Sequence, residues 1–500
     1  MVHMNFGGKM SNRRPNIVFL LNDHQAYYRH GQDGGPKIRR ENFDTLAQSG
    51  ARFTRASSVC PLCGPSRRSM LNGLYPHNHG ETRNDKNMPY IEQTYLDVLA
   101  SSGYKNYYFG KWHAGPGSAY EHHCEGFSQK GYGYPYSTPE YLEYLKQNAL
   151  PDPTVDIKFN KDDFKSKQRI INSDYTKNKN LNCDYMAGVM TSPKECHEAY
   201  FLAHLACEKI TELAAADSNE PFHLRVDFWG PHQPYFPTKE FADTYNPKDI
   251  PEYGNFNYDM SGKPDKYKHE TVSSFSKNGR LTIPNPVPWQ NWQEILALCY
   301  AQITLVDDAA GLILEMLSET GLLENTMIIY TTDHGDALAC HGGHYDKMSY
   351  LPEELMRIPM AVSYPGHIAP SQVNHSFVSN LDVAPTILDA ANCEFEHTPD
   401  GKSLLEICAE KTQERDDMMC ESYGHNEKEI LVGRVLYWDK YKFVYNKGDM
   451  DELYDLDADV FELNNLIDDV THADVLQNMK ERLVQNQLKS HDLDEIFHEN

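Results

Sequence analysis

Short apolar runs alternate with segments of helical periodicity along most of the chain. The runs predict buried strands at Asn16–Leu21, Tyr104–Phe109, Phe222–Phe228, Met327–Thr331 and Pro359–Ser363. The segments around them predict helices at Glu41–Gln48, Gln93–Ser101, Glu195–Ala215 and Trp292–Thr320. This alternation is typical of an α/β fold, a large mixed and mostly parallel sheet sandwiched by helices. In such a fold the functional side chains lie in loops after the carboxyl ends of the strands.

The character of the chain changes after about residue 393. Ile430–Trp438 and Tyr441–Tyr445 predict an antiparallel hairpin, and Val475–Leu488 predicts a closing helix. We therefore expect a smaller C-terminal α+β subdomain beside the main domain. The predicted division is an N-terminal extension or tag remnant over 1–14, a main domain over 15–393 and the subdomain over 394–500.

Two long stretches, 115–194 and 237–288, are rich in Tyr, Lys, Asn and Pro and only weakly periodic. They predict functional loops or insertions rather than framework. Aromatic faces suit stacking against sugars, and packing within an irregular loop is an equally good interpretation. The tyrosines concerned are Tyr132, Tyr134, Tyr136, Tyr141 and Tyr144.

Composition excludes several classes of protein. A formal net charge of −25 argues against non-specific nucleic-acid binding, which needs a basic surface. The chain has no continuous apolar run near the ~18–20 residues that cross a bilayer, so no membrane partner is expected. The run Ile17–Leu21 is too short for a signal sequence, which predicts a cytoplasmic protein unless a leader has been removed. Eleven cysteines, an odd number without compact spacing, indicate mostly reduced thiols.

The run Cys63–Arg67 reads CGPSR and opens a segment of helical pattern. A cysteine at a helix N-terminus faces unpaired N–H groups and the positive end of the helix dipole, which favour an anion. Arg67, four residues further on, returns to the same face and offers a forked cation to an oxyanion. The pattern predicts a reactive, anion-binding centre at Cys63. Cys60 lacks the proline and arginine at these offsets.

Two of the predicted strands end in the same dipeptide. Asp23 and His24 end the first strand, and Asp333 and His334 end a strand near the far end of the main domain. Because the carboxyl ends of parallel strands meet at one edge of a sheet, we expect these four residues to form one metal site. Carboxylate oxygens suit Ca²⁺ or Mg²⁺, whereas two imidazoles suit Mn²⁺ or Zn²⁺, so the metal stays open.

Further polar residues lie in loops that follow predicted strands or the cysteine helix. Lys111 and His113 follow one strand, His232 follows another, and Lys347 comes shortly after the second Asp-His pair. Asn84 follows the cysteine helix and could donate to an anion oxygen. A single loop residue of these types is usually solvated. Five motifs that each follow a predicted strand or open a helix favour a common site instead.

Together these motifs resemble the sulfatase family, whose fold is like that of alkaline phosphatase. The Cys-x-Pro-x-Arg pattern matches the family signature that directs oxidation of the cysteine, here Cys63, to formylglycine (3-oxoalanine). The resemblance runs by motif from about residue 15 to 360 and weakly into residues 452–466. It implies one divalent cation, with Ca²⁺ favoured, and a formylglycine-generating enzyme as a maturation partner. His24 departs from the family, which usually has aspartate or glutamine there.

The resemblance also implies a reaction on a small anionic sulfate ester. Hydrated formylglycine attacks sulfur, and Arg67, Lys111 and Lys347 supply the positive charge. His232 or Lys347 protonates the leaving alcohol, and His113 then removes the proton of the second hydroxyl so that sulfate is expelled. A sulfated sugar is the hypothesis for the substrate, with aryl and choline-like sulfates as rivals.

Two other functions stay open at this level. A phosphonate monoester or phosphodiester hydrolase of the same superfamily shares the nucleophile pattern, but such enzymes tend not to keep the pair Lys111 and His113. A non-catalytic anion-binding protein would keep the pocket and leave Cys63 unmodified.

Overall fold

A computed structural model of the chain describes residues 13–27, 36–161, 173–174, 186–216, 220–269, 275–277, 280–283, 287–347, 350–409, 415–425 and 432–493. Most of the predicted N-terminal extension lies outside the described residues, as do Ile430 and Leu431 at the start of the predicted hairpin.

The strands, in chain order, are β1 (Asn16–Asp23), β2 (Ala51–Ser57), β3 (Lys105–Lys111), β4 (Cys124–Gln129), β5 (Thr154–Lys161), β6 (Ser173–Asp174), β7 (Met186–Met190), β8 (Phe222–Pro231), β9 (Phe275–Lys277), β10 (Arg280–Ile283), β11 (Thr326–Thr332), β12 (Met360–Ser363), β13 (Gln372–Ser379), β14 (Asp417–Ser422), β15 (Gly433–Trp438), β16 (Tyr441–Asn446) and β17 (Glu452–Asp455).

The α-helices are α1 (Glu41–Ser49), α2 (Cys63–Asn72), α3 (Pro76–His79), α4 (Tyr95–Ser101), α5 (Pro139–Gln147), α6 (Glu198–Ala215), α7 (Lys239–Ala242), α8 (Asp265–His269), α9 (Trp289–Glu319), α10 (Glu353–Met356), α11 (Val383–Ala391), α12 (Leu404–Cys408) and α13 (Ala473–Ser490).

The main sheet confirms the predicted α/β fold. Its strand order is β13-β2-β12-β11-β1-β8-β3-β4, and only β12 runs antiparallel to its neighbours. All five predicted strands lie in this sheet, each with bounds shifted by a few residues at most.

Helices cover both faces of the main sheet because its central strands are apolar on both faces. In β1, Val18 and Leu20 pack into one core with α1, α6 and α9. The alternate residues Ile17, Phe19 and Leu21 pack into a second core with α2, α4 and α11. A strand buried on both sides reads as a continuous apolar run, which is why β1 was visible in the sequence.

Helix α9 is long and apolar enough to cross a membrane by length and composition, but 78% of its most apolar stretch is buried inside the protein. Its apolar residues face the same core as α1 and α6. The burial identifies it as a core helix of the main domain.

The C-terminal part confirms the predicted smaller subdomain with an antiparallel sheet. Strands β14-β15-β16-β17 pair in that order, and α13 packs on the sheet through Met479 and Leu483. The same core includes Val59 and Leu62, which precede α2. The subdomain therefore packs directly against the loop that leads into the cysteine helix. The boundary between 393 and 394 stays a prediction.

The two stretches expected to be irregular are partly ordered, which corrects that prediction. Strands β5, β6, β7, β9 and β10 pair in a second, five-stranded sheet. In β5 the buried residues Val155, Ile157 and Phe159 alternate with more exposed ones. This period of two residues is the mark of a strand with one buried face. The many lysines and asparagines of these stretches obscure this two-residue period in the sequence.

Candidate active site

Four neighbouring parallel strands deliver the predicted residues to one edge of the main sheet. In the order β11-β1-β8-β3, Asp333 follows β11, Asp23 ends β1, His232 follows β8 and Lys111 ends β3. Each of these side chains is at least 97% buried. The strand order therefore brings together residues that are more than 300 positions apart in sequence, between Asp23 and Asp333.

Cys63 is the first residue of α2, and only 1% of its surface is exposed. Its Sγ lies 3.1 Å from Nε2 of His334 and 3.7 Å from Oδ1 of Asp23. The helix N-terminus thus points the side chain at position 63 into the cluster of strand ends, where the helix dipole favours an anion.

Arg67 connects the cysteine helix with the strand ends. Its Nε donates to Oδ2 of Asp333 at 2.8 Å, and one terminal nitrogen donates to Oδ2 of Asp227 at 3.0 Å. The other terminal nitrogen lies 3.7 Å from Asp23 and has no hydrogen-bond partner among the described residues. Because the other two nitrogens are held by carboxylates, this third nitrogen remains available to an anion.

The ligand atoms of Asp23, Cys63, Asp333 and His334 all lie within 4.8 Å of one another. Nδ1 of His334 lies 2.8 Å from the Gly335 carbonyl oxygen, so Nδ1 carries the proton and Nε2 keeps its lone pair for a ligand. These four residues fit one divalent cation, with position 63 contributing an oxygen if it is formylglycine.

Both carboxylates of this group stay ionised although they are buried. Burial raises the pKa of Asp23, but the charge of Lys111, with smaller contributions that include Arg67, outweighs burial and holds that pKa well below its usual value. Burial and the charge of Asp23 raise the pKa of Asp333, and His334 with Arg67 lowers it below the usual value. Two anionic carboxylates in contact provide the charge that a divalent cation needs.

His24 does not belong to the group that surrounds Cys63. His24 has a backbone φ of 65°, and Nε2 of its ring lies 3.6 Å from a carboxylate oxygen of Asp336 and of Asp346. Burial, followed by the charge of Lys347, lowers the pKa of His24 well below its ordinary value, so the ring is neutral. The ring of His24 contacts the rings of His232 and His334. A role for His24 as a metal ligand stays a prediction.

Lys347 fills the space between His232 and Asp346. Its Nζ lies 3.3 Å from Nε2 of His232 and 3.1 Å from Oδ1 of Asp346. Burial lowers the pKa of Lys347, but the charge of Asp346 outweighs burial and raises it well above its usual value, so the amine is charged. Burial and then Lys347 lower the pKa of His232 to about 3. Because Lys347 is charged and His232 is neutral, the lysine donates the hydrogen bond between them.

The remaining predicted residues also lie at this site. Lys111 contacts the Asp23 carboxylate through Nζ. His113, with a φ of 40°, places Nε2 3.5 Å from Oδ1 of Asp85. Asn84 accepts a hydrogen bond from the Gly64 N–H at 2.8 Å, which leaves its side-chain NH₂ to donate to a ligand.

A cavity of about 620 Å³ opens at Cys63 and leads to solvent. Asn84, His113, His232 and Lys347 line it, so the predicted substrate-facing residues share one space. Arg67, Lys111 and Asp333 lie below its floor and are fully buried. Cations and carboxylates alternate at this site, because Arg67, Lys111 and Lys347 are each paired with a buried aspartate.

Sequence reasoning missed several residues of this pocket. Arg83, Asp346 and His425 line the same cavity, and His425 comes from the C-terminal subdomain. Tyr132, one of the tyrosines of the predicted aromatic insertion, lines it as well. Asp227, which holds Arg67, was also missed. One signal could have found Asp227, because Arg225 and Asp227 are charged residues inside an otherwise apolar strand.

A mostly parallel α/β sheet whose adjacent strand ends gather carboxylates, imidazoles and ammonium groups around a helix N-terminus is suited to a hydrolase that acts on an anionic ester. The sequence profile of the sulfatase family matches residues 15–393, and that of the C-terminal region of N-sulphoglucosamine sulphohydrolase matches residues 340–489. The chain belongs to the sulfatase family and is a sulfuric ester hydrolase.

Curated relatives resemble the chain over nearly its whole length. It is 27% identical to the N-acetylglucosamine-6-O-sulfatase of Bacteroides thetaiotaomicron, over 97% of this chain and 89% of that protein. It is 28% identical to the choline-sulfatase of Rhizobium meliloti, over 91% of this chain and 83% of that protein. The relatives therefore differ among themselves in substrate.

Solved structures support the fold. The phosphonate monoester hydrolase of Agrobacterium radiobacter superposes with a TM-score of 0.74 at 20% identity, over 95% of this chain and 96% of that one. A protein solved in complex with its substrate D-glucosamine-2-N,6-O-disulfate superposes with a TM-score of 0.72 at 22% identity, over 97% of this chain and 100% of that one.

Proposed function

We propose that this sulfatase cleaves the sulfate ester of a sugar, using formylglycine at position 63 and one divalent cation. The observation that carries the proposal is the placement of Cys63 at the start of α2, within ligand distance of Asp23, Asp333 and His334. Among the described residues, the thiol contacts only His334 and Asp23 within hydrogen-bond distance, whereas a formylglycine hydrate would use the cation ligands, the helix N-terminus and the nearby cations together.

Formylglycine at position 63, at the N-terminus of α2, would supply a hydrated aldehyde, with one hydroxyl as the nucleophile and the other as the group that permits release of sulfate. The residues of the chain hold the substrate and move protons. Arg67, Lys111 and Lys347 balance the charge that builds up on the sulfuryl oxygens. Lys347, which is hydrogen-bonded to His232, donates the proton that the leaving alcohol takes up. His113, beside Asp85, accepts the proton of the second hydroxyl.

Maturation requires a second protein. Because Cys63 is 1% exposed in the folded chain, a modifying enzyme cannot reach it there. A formylglycine-generating enzyme would therefore act on the extended CGPSR run before α2 folds. Cys60 is a matched control for this step, since it is equally buried and lies three positions earlier, in the loop that precedes α2.

The donor atoms limit which cations the site can bind. Two buried carboxylates and the oxygen of formylglycine suit Ca²⁺, the ion that the family favours, and Mg²⁺. The single imidazole of His334 also admits Mn²⁺ or Zn²⁺. Elemental analysis of purified protein would identify the metal, and a stoichiometry near one per chain is expected.

The size of the pocket and the substrates of the relatives both favour a sugar as the alcohol part of the sulfate ester. The cavity of about 620 Å³ exceeds what a sulfate ion fills and leaves room for a sugar ring. Relatives in different organisms are N-acetylglucosamine sulfatases, and a structural neighbour binds a sulfated glucosamine. Aryl and choline sulfates are the alternatives to be tested alongside.

The proposal is tested by mass spectrometry and kinetics together. The peptide that contains residue 63 should be about 18 Da lighter than the unmodified peptide, since oxidation exchanges the thiol sulfur and two hydrogens for one oxygen. Cys63→Ala should abolish hydrolysis of sulfated sugars. Cys60→Ala should retain both conversion and hydrolysis, because Cys60 lies outside the metal group.

Two results would refute the proposal. An intact thiol at position 63 in protein from its native host would remove the nucleophile and favour a non-catalytic anion-binding protein. A second-order rate constant much larger for a phosphonate monoester than for the sulfate monoester of the same alcohol would assign the enzyme to phosphonate hydrolysis.

A further inference from the structure

The tyrosines of the first insertion fall into two groups. The hydroxyls of Tyr134, Tyr141 and Tyr144 donate to main-chain carbonyl groups at 2.7, 2.5 and 2.8 Å. Their rings belong to the apolar core, as does that of Tyr136. Tyr132 differs from them, because its hydroxyl oxygen is shielded from solvent and has no hydrogen-bond partner among the described residues. It also lines the cavity above Cys63.

Tyr132 lies among the residues that face the sulfate group. The centre of its ring is 5.2 Å from Nζ of Lys111, 6.0 Å from the ring of His113 and 5.6 Å from the ring of His232. These three residues come from the ends of β3 and β8, whereas Tyr132 comes from the segment after β4. The tyrosine thus forms a wall of the pocket on the side of β3 and β8.

The position of Tyr132 is held by its neighbours. Nε1 of Trp229 donates to the Tyr132 carbonyl oxygen at 3.3 Å. Two residues later, Tyr134 donates to the Gln233 carbonyl oxygen, and its ring stacks on Trp229 with centres 6.1 Å apart. The segment is therefore fastened to the loop that carries His232. A side chain anchored in this way loses little conformational freedom when a ligand binds.

The chemistry of the phenol differs from that of the other pocket groups. Arg67, Lys111 and Lys347 are cations and match the charged oxygens of a sulfuryl group. A phenol hydroxyl is neutral, donates one hydrogen bond and accepts others, and so matches a hydroxyl or amide group. Leaving it buried without a partner is unfavourable, and a ligand that supplies the partner regains that loss.

We propose that Tyr132 is a specificity-determining residue whose hydroxyl forms a hydrogen bond with a hydroxyl or amide group of the sugar that carries the sulfate ester. The inference rests on the proposed function for its substrate class. It excludes choline sulfate and simple aryl sulfates as preferred substrates, because neither has a hydroxyl or amide group beside the ester.

The test compares two substrates on Tyr132→Phe, which removes only the hydroxyl oxygen. N-Acetylglucosamine 6-sulfate and glucosamine 2-N,6-O-disulfate represent the sugars, and 4-nitrophenyl sulfate represents an alcohol without hydrogen-bonding groups. We expect kcat/KM to fall roughly 10-fold to 100-fold on the better sugar and less than about 2-fold on the aryl sulfate. Tyr144→Phe is the matched control, because its hydroxyl bonds in the core and it should change neither value.

An equal loss on both substrates would assign the hydroxyl to the sulfuryl group and overturn the inference, and so would no loss on either. A binding measurement separates this inference from the proposed function. Calorimetric titration of the sugar sulfates into Cys63→Ala, with and without Tyr132→Phe, needs no catalysis. A Kd raised roughly 10-fold by Tyr132→Phe would support the inference even if no sulfate ester is hydrolysed, and an unchanged Kd would refute it.

Discussion

Arg67 and Arg68 are neighbours on α2, and both are fully buried. Arg67 binds the carboxylates of Asp333 and Asp227. Arg68 points the other way, donates to the Met88 carbonyl oxygen at 2.6 Å and pairs with Glu92 at 2.8 Å. The two arginines of this helix thus have different roles: Arg67 acts at the active site, and Arg68 stabilises the surrounding structure.

This pair supports the first prediction. Arg67→Lys should lower kcat/KM roughly 100-fold or more, since a lysine cannot hold two carboxylates and still direct a donor beside position 63. Arg68→Lys should lower the melting temperature but leave kcat/KM of the folded protein within about 3-fold, because its contacts lie outside the pocket. A variant Arg67→Lys that keeps more than a tenth of the activity would contradict the role given to Arg67.

The metal group supports the second prediction. Removal of the cation by a chelator should lower the melting temperature, because Asp23 and Asp333 then repel each other in a buried site. Adding Ca²⁺ back should restore it, and Asp333→Asn should abolish the response. Asp307→Asn is the control, since Asp307 is an equally buried carboxylate that instead accepts from the N–H groups of Asn42 and Phe43. Scanning calorimetry with and without metal checks this, and a response that survives in Asp333→Asn would place the cation elsewhere.

At the scale of elements, the loop after β11 depends on a close backbone approach. A Cβ at Gly335 would lie 1.9 Å from the Glu354 carbonyl oxygen, and the Gly335 N–H donates to the Leu355 carbonyl oxygen at 2.9 Å. The loop that carries Asp333 and His334 is therefore packed on α10 through main-chain contacts. Such contacts cannot adjust by rotating a side chain, so the loop must move if this space is filled.

The third prediction follows from that contact. Gly335→Ala should displace Asp333 and His334, weaken metal binding and lower kcat/KM roughly 100-fold. Gly262→Ala is the matched control, because its Cβ would meet no atom within 4 Å. Metal titration and steady-state kinetics on both variants test this. Unchanged metal affinity in Gly335→Ala would show that the loop position does not depend on the close approach.

Elements differ in how well local sequence predicts them. Strand β1 and helix α9 were predicted because a strand or helix buried on several sides is apolar along its whole length. Strands β2 and β13 were missed. They pair at one edge of the main sheet, and their exposed residues are Arg52, Val373 and His375. A strand that is polar on one face resembles a loop unless its partner is known.

At the scale of the whole molecule, the C-terminal subdomain is bound to the segment that follows the cysteine helix. His77 pairs with Glu421 of β14 through Nδ1, and its Nε2 lies 2.9 Å from the Ser490 carbonyl oxygen at the end of α13. Burial lowers the pKa of His77, but the hydrogen bond and charge of Glu421 outweigh burial and raise it to about 9. The charged form of His77 therefore stabilises the contact between the two parts.

This contact gives the fourth prediction, a pH dependence of stability. Because the folded pKa is raised from 6.5 to about 9, the contribution is complete below pH 6.5 and is lost as the pH rises through about 9. The full contribution is on the order of 3 kcal/mol. The melting temperature of the wild type should exceed that of His77→Gln at pH 6, and the difference should shrink by pH 10. His375→Gln, a histidine on the exposed part of β13, should show no such trend.

A pH-independent difference between wild type and His77→Gln would contradict this account. It would indicate that His77 contributes by packing, for instance by its stacked contact with Tyr75, and that its charge is unimportant.

The sequence alone determined the fold class, the central strands and the residues at their ends. It could do so because these features lie in short contiguous patterns: apolar runs that stop at Asp23 and Asp333, and the spacing from Cys63 to Arg67. A strand end fixes where in the sheet a side chain appears, and all parallel strands end on one edge.

Only the tertiary structure decided which residues complete the pocket and which way each one faces. Tyr132, Asp346 and His425 come from a polar insertion, a loop and the other subdomain, and no local pattern relates them to Cys63. The same holds for His24, which adjoins Asp23 in sequence but turns towards Asp336 and Asp346. Strand order, loop packing and backbone dihedrals depend on contacts between distant segments. The periodicity of a single segment gives no information about those contacts.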